Sequence, residues 1–274
     1  MSTTGYLQKM SGTQGAEVEY SLLLNQKTLS LSQALGQFIT IKYLNHIQCQ
    51  ACHKSTSKSF NQGFCYSCFK KLARNDRCVM SPELCHFAQG TCREPDWGIA
   101  HCMQKHIVYL SWTSQLKVGL TKPSQIPTRW IDQGATAAVA ICEVSSRYHA
   151  GLIEDYLRQW YKDKTQWRKM LEGVDMSIDL ASAAAEAQEK ISQGSFSQPL
   201  KDDVKILDIN VQQFNFPIDY DGPIKALSLD KQNIVQGYLL GIKGQYLLFD
   251  TGVFNIRKHT SYKVMLAITP SRPD

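Results

Sequence analysis

Two CxxC pairs with twelve residues between them are the most informative feature of this sequence. Cys49 and Cys52 form the first pair, and Cys65 and Cys68 form the second. Each pair places two thiolates on one turn, and the spacing lets two short loops close tetrahedrally around one ion. Gly63 supplies permissive backbone just before the second pair. The pattern therefore predicts a structural zinc site with four cysteine ligands.

A second group of four cysteines follows directly, with six, six and nine residues between its members. These are Cys78, Cys85, Cys92 and Cys102. Proline and glycine interrupt regular structure throughout this segment, so metal would supply what packing cannot. The segment predicts a second structural zinc ion, at which His86, His101 or His106 can each replace one thiolate. Cys142 lies apart in the apolar run AAVAICEV and is predicted to be a buried apolar residue.

Composition limits the compartment and the partner. No stretch approaches the roughly 18 apolar residues of a membrane span, and the first residues lack the apolar run of a signal peptide. We therefore expect a cytoplasmic protein, where clustered cysteines bind metal rather than form disulfides. The net charge of +6 favours a polyanionic partner, although the Lys and Arg residues are scattered.

The stretch after the cysteines predicts a small module with the order β, β, α, β, α. The runs HIVYL and LKVGLT predict a hairpin that turns at residues 112–115, and a helix is expected after Pro127. Residues 135–144 form a third apolar run that suits a buried strand. Residues 147–161 carry apolar side chains at the three-and-four spacing of a helix packed on one side.

Several motifs of this module, in this order, resemble the GIY-YIG nuclease superfamily. The resemblance rests on Tyr109 in IVY, on Val118 and Gly119 in KVG, on Arg129 in RW, and on Glu154 in AGLIEDYL. It implies that Tyr109 flanks the reaction centre, that Arg129 contacts the phosphate, and that Glu154 binds Mg²⁺ or Mn²⁺. Such a site would hydrolyse phosphodiesters, because a cation and a metal offset the negative charge that develops on the phosphate.

The sequence departs from the superfamily at two positions that matter for chemistry. Lys117 stands where the second tyrosine is usual, and Gln133 replaces the histidine or tyrosine often found one turn after the arginine. A glutamine cannot exchange a proton at neutral pH, so the general base would be Tyr109, Lys117, Lys122 or a metal-bound water. The predicted catalytic residues are Tyr109, Lys117, Arg129 and Glu154. Alternatively, Tyr109 is a core aromatic, and Arg129 and Glu154 are either surface charges or partners in an ion pair between two helices.

The flanking segments carry strand patterns. Period-two patches occupy residues 1–46, an alanine-rich helix is predicted from Ser177 to Ser192, and short apolar runs from Val204 onward predict an antiparallel β domain that resembles an OB barrel. Basic and aromatic residues alternate in that domain, which suits stacking on single-stranded nucleic acid. The predicted nucleic-acid-binding residues are Lys122, Lys243, Tyr246, Arg257 and Lys258. His259 is expected to be exposed or hydrogen-bonded rather than a ligand.

Nearly the entire chain also resembles an uncharacterised bacterial family of zinc-containing proteins, a domain of unknown function. The resemblance is carried by GTCREP at 90–95, KVGLT at 117–121, PTRWIDQGA at 127–135 and GIKGQYLLFD at 241–250. It supports an architecture and implies no activity.

The expected fold class is α+β, in five parts. They are an N-terminal β segment (1–46), a loop-rich double zinc region (47–105), the GIY-YIG-like module (106–173), a connector helix (174–200) and the C-terminal β domain (201–274). The leading hypothesis is a zinc-stabilised protein that binds DNA or RNA with a GIY-YIG-like core, and the strongest version of this hypothesis is a metal-dependent, structure-specific endonuclease. The alternatives are a non-catalytic RNA- or ribosome-associated adaptor and a zinc-scaffolded protein-interaction module.

Overall fold

The structure is a computed structural model that describes residues 2–173 and 177–272. The chain divides into two compact units. The first, called here the terminal unit, combines Met1–Lys70 with Asn215–Asp274. The second, the central unit, is Lys71–Phe214. None of the helices in the described ranges has the length and apolar character that crossing a bilayer requires.

The elements follow one another along the chain as mostly short strands and helices. The N-terminal part of the terminal unit contains β1 (Ser2–Tyr6), β2 (Ser11–Thr13), β3 (Glu19–Leu24), β4 (Lys27–Ser30), β5 (Phe38–Gln48), β6 (Ser55–Thr56) and α1 (Tyr66–Lys71). The central unit contains α2 (Arg77–Met80), α3 (Pro95–His101), β7 (His106–Trp112), β8 (Leu116–Thr121), α4 (Thr128–Asp132), β9 (Ala137–Val144), α5 (Arg147–Leu157), α6 (Trp167–Glu172), α7 (Leu180–Gln193), α8 (Gln198–Asp203), β10 (Lys205–Ile206) and β11 (Gln212–Gln213). The C-terminal part of the terminal unit contains β12 (Ala226–Leu227), β13 (Ile234–Lys243), β14 (Tyr246–Phe249), β15 (Gly252–Asn255) and β16 (Tyr262–Thr269).

An eight-stranded sheet forms the terminal unit together with a three-stranded sheet of β2, β3 and β4. The larger sheet has the order β1-β16-β5-β13-β14-β15-β12, and β6 pairs with β5. Strand β5 is central because it pairs antiparallel with both β13 and β16, and its Ile39 and Ile41 side chains are fully buried. The N-terminal segment and the C-terminal β domain, predicted as separate parts, thus share one sheet. An OB fold is a five-stranded barrel, so OB-likeness is not confirmed.

A five-stranded sheet organises the central unit, with the order β10-β9-β7-β8 and with β11 paired to β9. In the β7–β8 hairpin, side chains alternate between two faces. One face is apolar and packs on α5 and α7, through Val108, Leu110, Val118 and Leu120. The opposite face of the hairpin carries Tyr109, Ser111, Lys117 and Gly119, which form the register pairs Tyr109–Gly119 and Ser111–Lys117. Polar chemistry is therefore confined to the face turned away from the apolar core.

The predicted order β, β, α, β, α is found in the central unit, with shifted ends. Helix α5 ends at Leu157 rather than at residue 161. Helix α7 begins at Leu180 rather than after Ser177, because the Asp179 carboxylate accepts a hydrogen bond from the Ala181 N–H and caps the helix. The predicted boundary at residue 174 lies outside the described residues.

The structure also divides the chain differently at two places. Residues 201–214 belong to the central unit rather than to the C-terminal β domain, because β10 and β11 both pair with β9. The predicted zinc region 47–105 is split, with its first cysteine group in the terminal unit and its second in the central unit.

Candidate functional site

The first four cysteines form a cluster in the terminal unit. The Sγ atoms of Cys49, Cys52, Cys65 and Cys68 all lie within 4.8 Å of one another, and the Cys52 and Cys65 Sγ atoms are 3.8 Å apart. This is the spacing of thiolates that share one tetrahedral ion. The cluster can therefore hold zinc, as the CxxC pairs predict.

Backbone hydrogen bonds prepare this cluster for a metal. The Gln50 N–H donates to the Gly63 carbonyl at 2.8 Å, which joins the two knuckles. Burial raises the pKa of the Cys49 thiol, but backbone N–H groups of Cys52, Cys65 and Ala51 donate to it and lower the pKa overall. Since the thiolate is the form that binds metal, these donors favour ligation by Cys49, whereas burial and the neighbouring thiols raise the pKa of Cys68 to about 12.

The second group of cysteines lines one pocket in the central unit. All four thiols contribute to its wall, and Asp76 and His86 join them. The donor atoms of Asp76, Cys78 and His86 lie within 4.8 Å of one another, which is the tightest grouping there. Of the three alternative histidines, His86 therefore lines the pocket. A second zinc ion remains a prediction, with His86 and Asp76 as additional candidate ligands.

The other two histidines have different surroundings. His101 stacks on the Trp97 ring, with the ring centroids 4.4 Å apart, and its Nδ1 lies 2.9 Å from the Trp97 carbonyl oxygen. His106 is buried, and its Nδ1 lies 2.7 Å from the Gln104 carbonyl oxygen. Neither lines the cysteine pocket.

Tyr109 occupies the centre of the polar hairpin face. A Cβ added at Gly119 would lie 2.7 Å from the Tyr109 hydroxyl, so the missing side chain lets the tyrosine ring lie across β8. The hydroxyl donates to Gln133 Oε1 at 2.9 Å and also interacts with Arg129. Burial raises the pKa of Tyr109, which the neighbouring Arg129 charge opposes. Tyr109, Gln133 and Arg129 thus form one hydrogen-bonded group.

Lys117 is a buried cation on the same face, with 5 % of its surface exposed. Burial and, to a smaller extent, the Arg129 charge lower its pKa to about 8, against the opposing effect of the Glu154 and Asp163 charges. Within residues 2–173 and 177–272, no hydrogen bond or ion pair engages its ammonium group. The ammonium itself keeps contact with solvent, and the negative charges of Glu154 and Asp163 act on it.

Glu154 is held by a neighbouring arginine. Its Oε2 lies 3.4 Å from Arg158 Nη2, four residues along α5, and Arg158 also contacts Glu83, Asp155 and Asp163. Burial raises the pKa of Glu154, while the positive charges of three residues, Arg158, Arg147 and Lys117, oppose that shift. The ion-pair partner of Glu154 is therefore Arg158, and not Arg129 as the alternative prediction has it.

A divalent cation does not fit at Glu154. Mg²⁺ and Mn²⁺ take oxygen ligands and keep several waters, usually with one or two carboxylates that are free to bind. Here the carboxylate is already paired with Arg158, which it shares with Glu83, and the charges of Arg147 and Lys117 also act on it. Like-charge repulsion would add to the cost of placing a metal there. The surroundings of Glu154 therefore do not suit Mg²⁺ or Mn²⁺.

Helix α5 is fixed directly against the second cysteine segment. A Cβ added at Gly151 would lie 2.6 Å from Pro82 Cβ and 2.7 Å from the Glu83 nitrogen, so the backbones touch. Arg147 donates from Nη2 to the Val79 carbonyl at 2.7 Å and from its backbone N–H to the Cys102 carbonyl at 2.8 Å. The segment that carries the thiols therefore sets the position of the helix that carries Glu154.

The predicted nucleic-acid-binding residues differ in how far their side chains are exposed to solvent. Lys243 has only 4 % of its surface exposed, burial lowers its pKa to about 8, and its ammonium lies 5.5 Å from the Phe216 ring centre. Burial also raises the pKa of Tyr246. These two residues differ from the exposed basic and aromatic face that the sequence predicted.

The remaining members of this group form polar contacts at the surface. Arg257 Nε donates to Gln62 at 2.7 Å, and Lys258 Nζ lies 3.6 Å from Asp230. In the central unit, Lys122 donates to the Ala100 carbonyl at 3.2 Å. His259 is fully buried and receives a hydrogen bond from the Leu229 N–H. That histidine is satisfied by hydrogen bonds, as predicted.

The family described as "Protein of unknown function (DUF2797)" matches residues 36–264. The chain belongs to the DUF2797 family. No curated protein and no solved structure matches it. The resemblance to an uncharacterised family is thereby confirmed, and the DUF2797 match supplies no activity. The GIY-YIG resemblance is not shown by it.

Three residues near the predicted catalytic residues of the central unit were not predicted from the sequence. Ser111 is opposite Lys117 only through the hairpin register, which the sequence did not define residue by residue. Arg147 acts through carbonyls of a distant segment. Arg158 was open to prediction, because a cation four residues after Glu154 on a helix is a standard pairing geometry.

Proposed function

We propose that this DUF2797 protein binds nucleic acid through a phosphate site in its central unit, while zinc stabilises its cysteine clusters. The support comes from one observation. Tyr109 and Lys117 lie on one face of the hairpin, the Tyr109 hydroxyl interacts with Arg129 of α4, and the charge of Glu154 acts on both Tyr109 and Lys117. Two of these are cations without a carboxylate partner among the described residues, and phosphate oxygens would supply what they lack.

The individual residues would have separate roles in this proposal. Arg129 would donate hydrogen bonds to phosphate oxygens, and Lys117 would add a point charge. Tyr109, oriented by Gln133, would fix the position of the arginine. In this GIY-YIG-like arrangement the paired Glu154 balances charge rather than holding a metal. The proposal therefore favours the non-catalytic alternative, an RNA- or ribosome-associated adaptor in the cytoplasm, over a metal-dependent endonuclease.

We expect Arg129→Ala to weaken nucleic-acid binding about tenfold, because a hydrogen bond from a charged group contributes roughly 1.5–3 kcal/mol. Fluorescence anisotropy with labelled single- and double-stranded DNA and RNA measures this loss. The affinity of the wild type should also fall steeply as salt rises. Lys169→Ala, which removes an exposed charge in α6 of the same unit, serves as the control and should change affinity little. Equal affinities for Arg129→Ala and wild type would contradict the proposal.

A protein-interaction module is the second candidate function, and a specific observation favours it. Met80, Leu84 and Ile99 expose 78 %, 46 % and 52 % of their surfaces within the second cysteine segment. Exposed large apolar residues often mark contact surfaces. The two functions separate experimentally, because Met80→Glu would disrupt a protein contact and leave the salt-dependent binding of nucleic acid unchanged.

A further inference from the structure

Acidic residues are absent from one long stretch of the chain. Residues 20–75 contain seven Lys and Arg residues and no Asp or Glu. The remaining residues carry 23 basic and 24 acidic side chains, so this stretch accounts for the whole net charge of +6. A zinc ion held by the four thiolates in this stretch would offset only part of that charge. The positive field of the protein therefore originates around the first cysteine cluster.

Lysines in and around the first cysteine cluster have no acidic partner. Lys54, Lys58 and Lys70 are exposed, and none of the three forms an ion pair within residues 2–173 and 177–272. Lys105 in the central unit shows the contrast, because its ammonium lies 2.8 Å from a Glu143 carboxylate oxygen. The three charges near the cluster are therefore open to an anionic partner.

Aromatic rings lie beside these cations and form a continuous patch with them. The Phe60 ring contacts the Tyr66 ring at 5.4 Å and the Phe69 ring at 5.7 Å between centroids. The Lys58 ammonium lies 5.4 Å from the Phe60 ring centre. Tyr66 and Lys70 are four residues apart in α1, so their side chains share one face of that helix. We call these five residues the knuckle patch.

Tyr66 is the most accessible ring of the knuckle patch, with 58 % of its surface exposed. It lies between Cys65 and Cys68, so zinc bound by these thiols anchors the turn that carries it. An anchored ring loses little conformational freedom when a ligand packs on it. One exposed aromatic residue is common on protein surfaces, but here unpaired cations lie next to the ring. The combination points to a ligand that is both anionic and aromatic.

A further cation borders the knuckle patch from a distant part of the chain. Arg257 donates from Nε to Gln62 Oε1 at 2.7 Å, and Gln62 follows Phe60 by two residues. Of the residues predicted from the sequence to bind nucleic acid, Arg257 therefore lies beside this patch. The next residue, Lys258, is instead 3.6 Å from an Asp230 carboxylate oxygen.

Single-stranded nucleic acid fits this combination, because its phosphates meet cations while its unstacked bases pack on aromatic rings. A duplex keeps its bases stacked on one another, and an acidic peptide would use the cations and leave the rings exposed. We infer that the knuckle patch binds single-stranded RNA or DNA, with a base on Tyr66 and phosphates on Lys58 and Lys70. This surface uses neither Arg129 nor Lys117, so the inference does not rest on the proposed function.

The test measures how the full chain binds labelled oligothymidylate and oligouridylate of about twelve nucleotides, by fluorescence anisotropy over a range of salt. Zinc content is determined for every variant. Tyr66→Ala should weaken binding about tenfold, and Tyr66→Phe should bind as wild type does because the ring survives. Lys58→Gln and Lys70→Gln should each reduce the magnitude of the slope of log K against log salt by about 0.7, the value for one phosphate contact of a single strand. Lys27→Gln, which removes an exposed charge in β4 of the same unit, should change neither quantity.

Several outcomes would overturn the inference. Unchanged affinity of a zinc-loaded Tyr66→Ala variant is one, and equal binding of an oligonucleotide of the same length without bases is another. Polyglutamate and vesicles that contain phosphatidylserine offer charge without bases, so binding of either as tight as that of the oligonucleotide would also overturn it. If Tyr66→Ala loses zinc, the two lysine variants decide, and unchanged salt slopes in both would overturn the inference.

Arg129→Ala separates this surface from the site in the central unit. If only Arg129→Ala weakens oligonucleotide binding, the inference fails and the proposed function stands. If only the variants of the knuckle patch weaken it, the proposed function fails and the inference stands. Absence of binding by the wild type would overturn both.

Discussion

Cys65→Ser should release one zinc ion per chain and unfold the knuckles of the terminal unit. Structural zinc contributes on the order of 10–16 kcal/mol of apparent binding energy in small zinc modules. The four thiols lie close together in a segment with little other structure, where β6 has two residues and α1 has six. Loss of one thiolate breaks the tetrahedral site, so we expect a fall in the free energy of unfolding of several kcal/mol.

The measurement combines zinc content by mass spectrometry with urea unfolding. Cys142→Ala is the matched control, because Cys142 is a fully buried cysteine in β9 that belongs to neither cysteine cluster. That variant should keep all of its zinc and lose only the contacts of one small side chain. Full zinc content in Cys65→Ser would contradict the four-cysteine site.

The second large effect is expected from Gly151→Val in helix α5. A glycine replaced by alanine inside a helix usually gains roughly 0.5–1 kcal/mol of stability. At Gly151 the sign should reverse, because the new Cβ would meet Pro82 at 2.6 Å and backbone of Glu83 at 2.7 Å. Overpacking typically costs 1–3 kcal/mol, and rigid backbone cannot yield as a flexible side chain does. We expect about 3 kcal/mol of destabilisation for valine and a smaller loss for alanine.

Urea unfolding of Gly151→Ala, Gly151→Val and Ala185→Val measures this effect. Ala185 is an exposed residue in α7, so Ala185→Val isolates the lower helix propensity of a β-branched side chain, a few tenths of a kcal/mol. If the alanine variant is more stable than wild type, the close contact between α5 and the cysteine segment does not exist.

Local features of the sequence predicted local structure well. The CxxC ligands lie on single turns, so their spacing alone indicated the four-thiol cluster. The alternation in LKVGLT similarly indicated β8, where one face is apolar and the other is polar. The connector helix was also predicted. Its predicted N-cap was Ser177, whereas the observed N-cap is Asp179.

Long-range pairing was beyond the same reasoning. The apolar pattern of residues 38–48 indicates a strand but does not identify its partners. In the structure these partners are β13 and β16, which lie far along the chain. The burial of Lys243 depends on that tertiary packing and not on the local basic and aromatic pattern. The charge environment of Glu154 likewise includes Lys117, which approaches from β8 rather than from α5. These effects decide whether a matched motif position can hold a metal.

The pairing of β5 has a consequence for biosynthesis. Its partner β13 begins about 190 residues later in the chain, so at 5–20 residues per second β5 waits roughly 10–40 s for that partner. The central unit is contiguous, and all its residues leave the ribosome before β13 is complete. During this interval β6 can pair only with the end of β5, and the apolar stretch of β5, which lacks both β13 and β16, is the kind of exposed segment that chaperones shield. A zinc ion captured early at Cys49–Cys68 would order the residues that follow β5 while it waits.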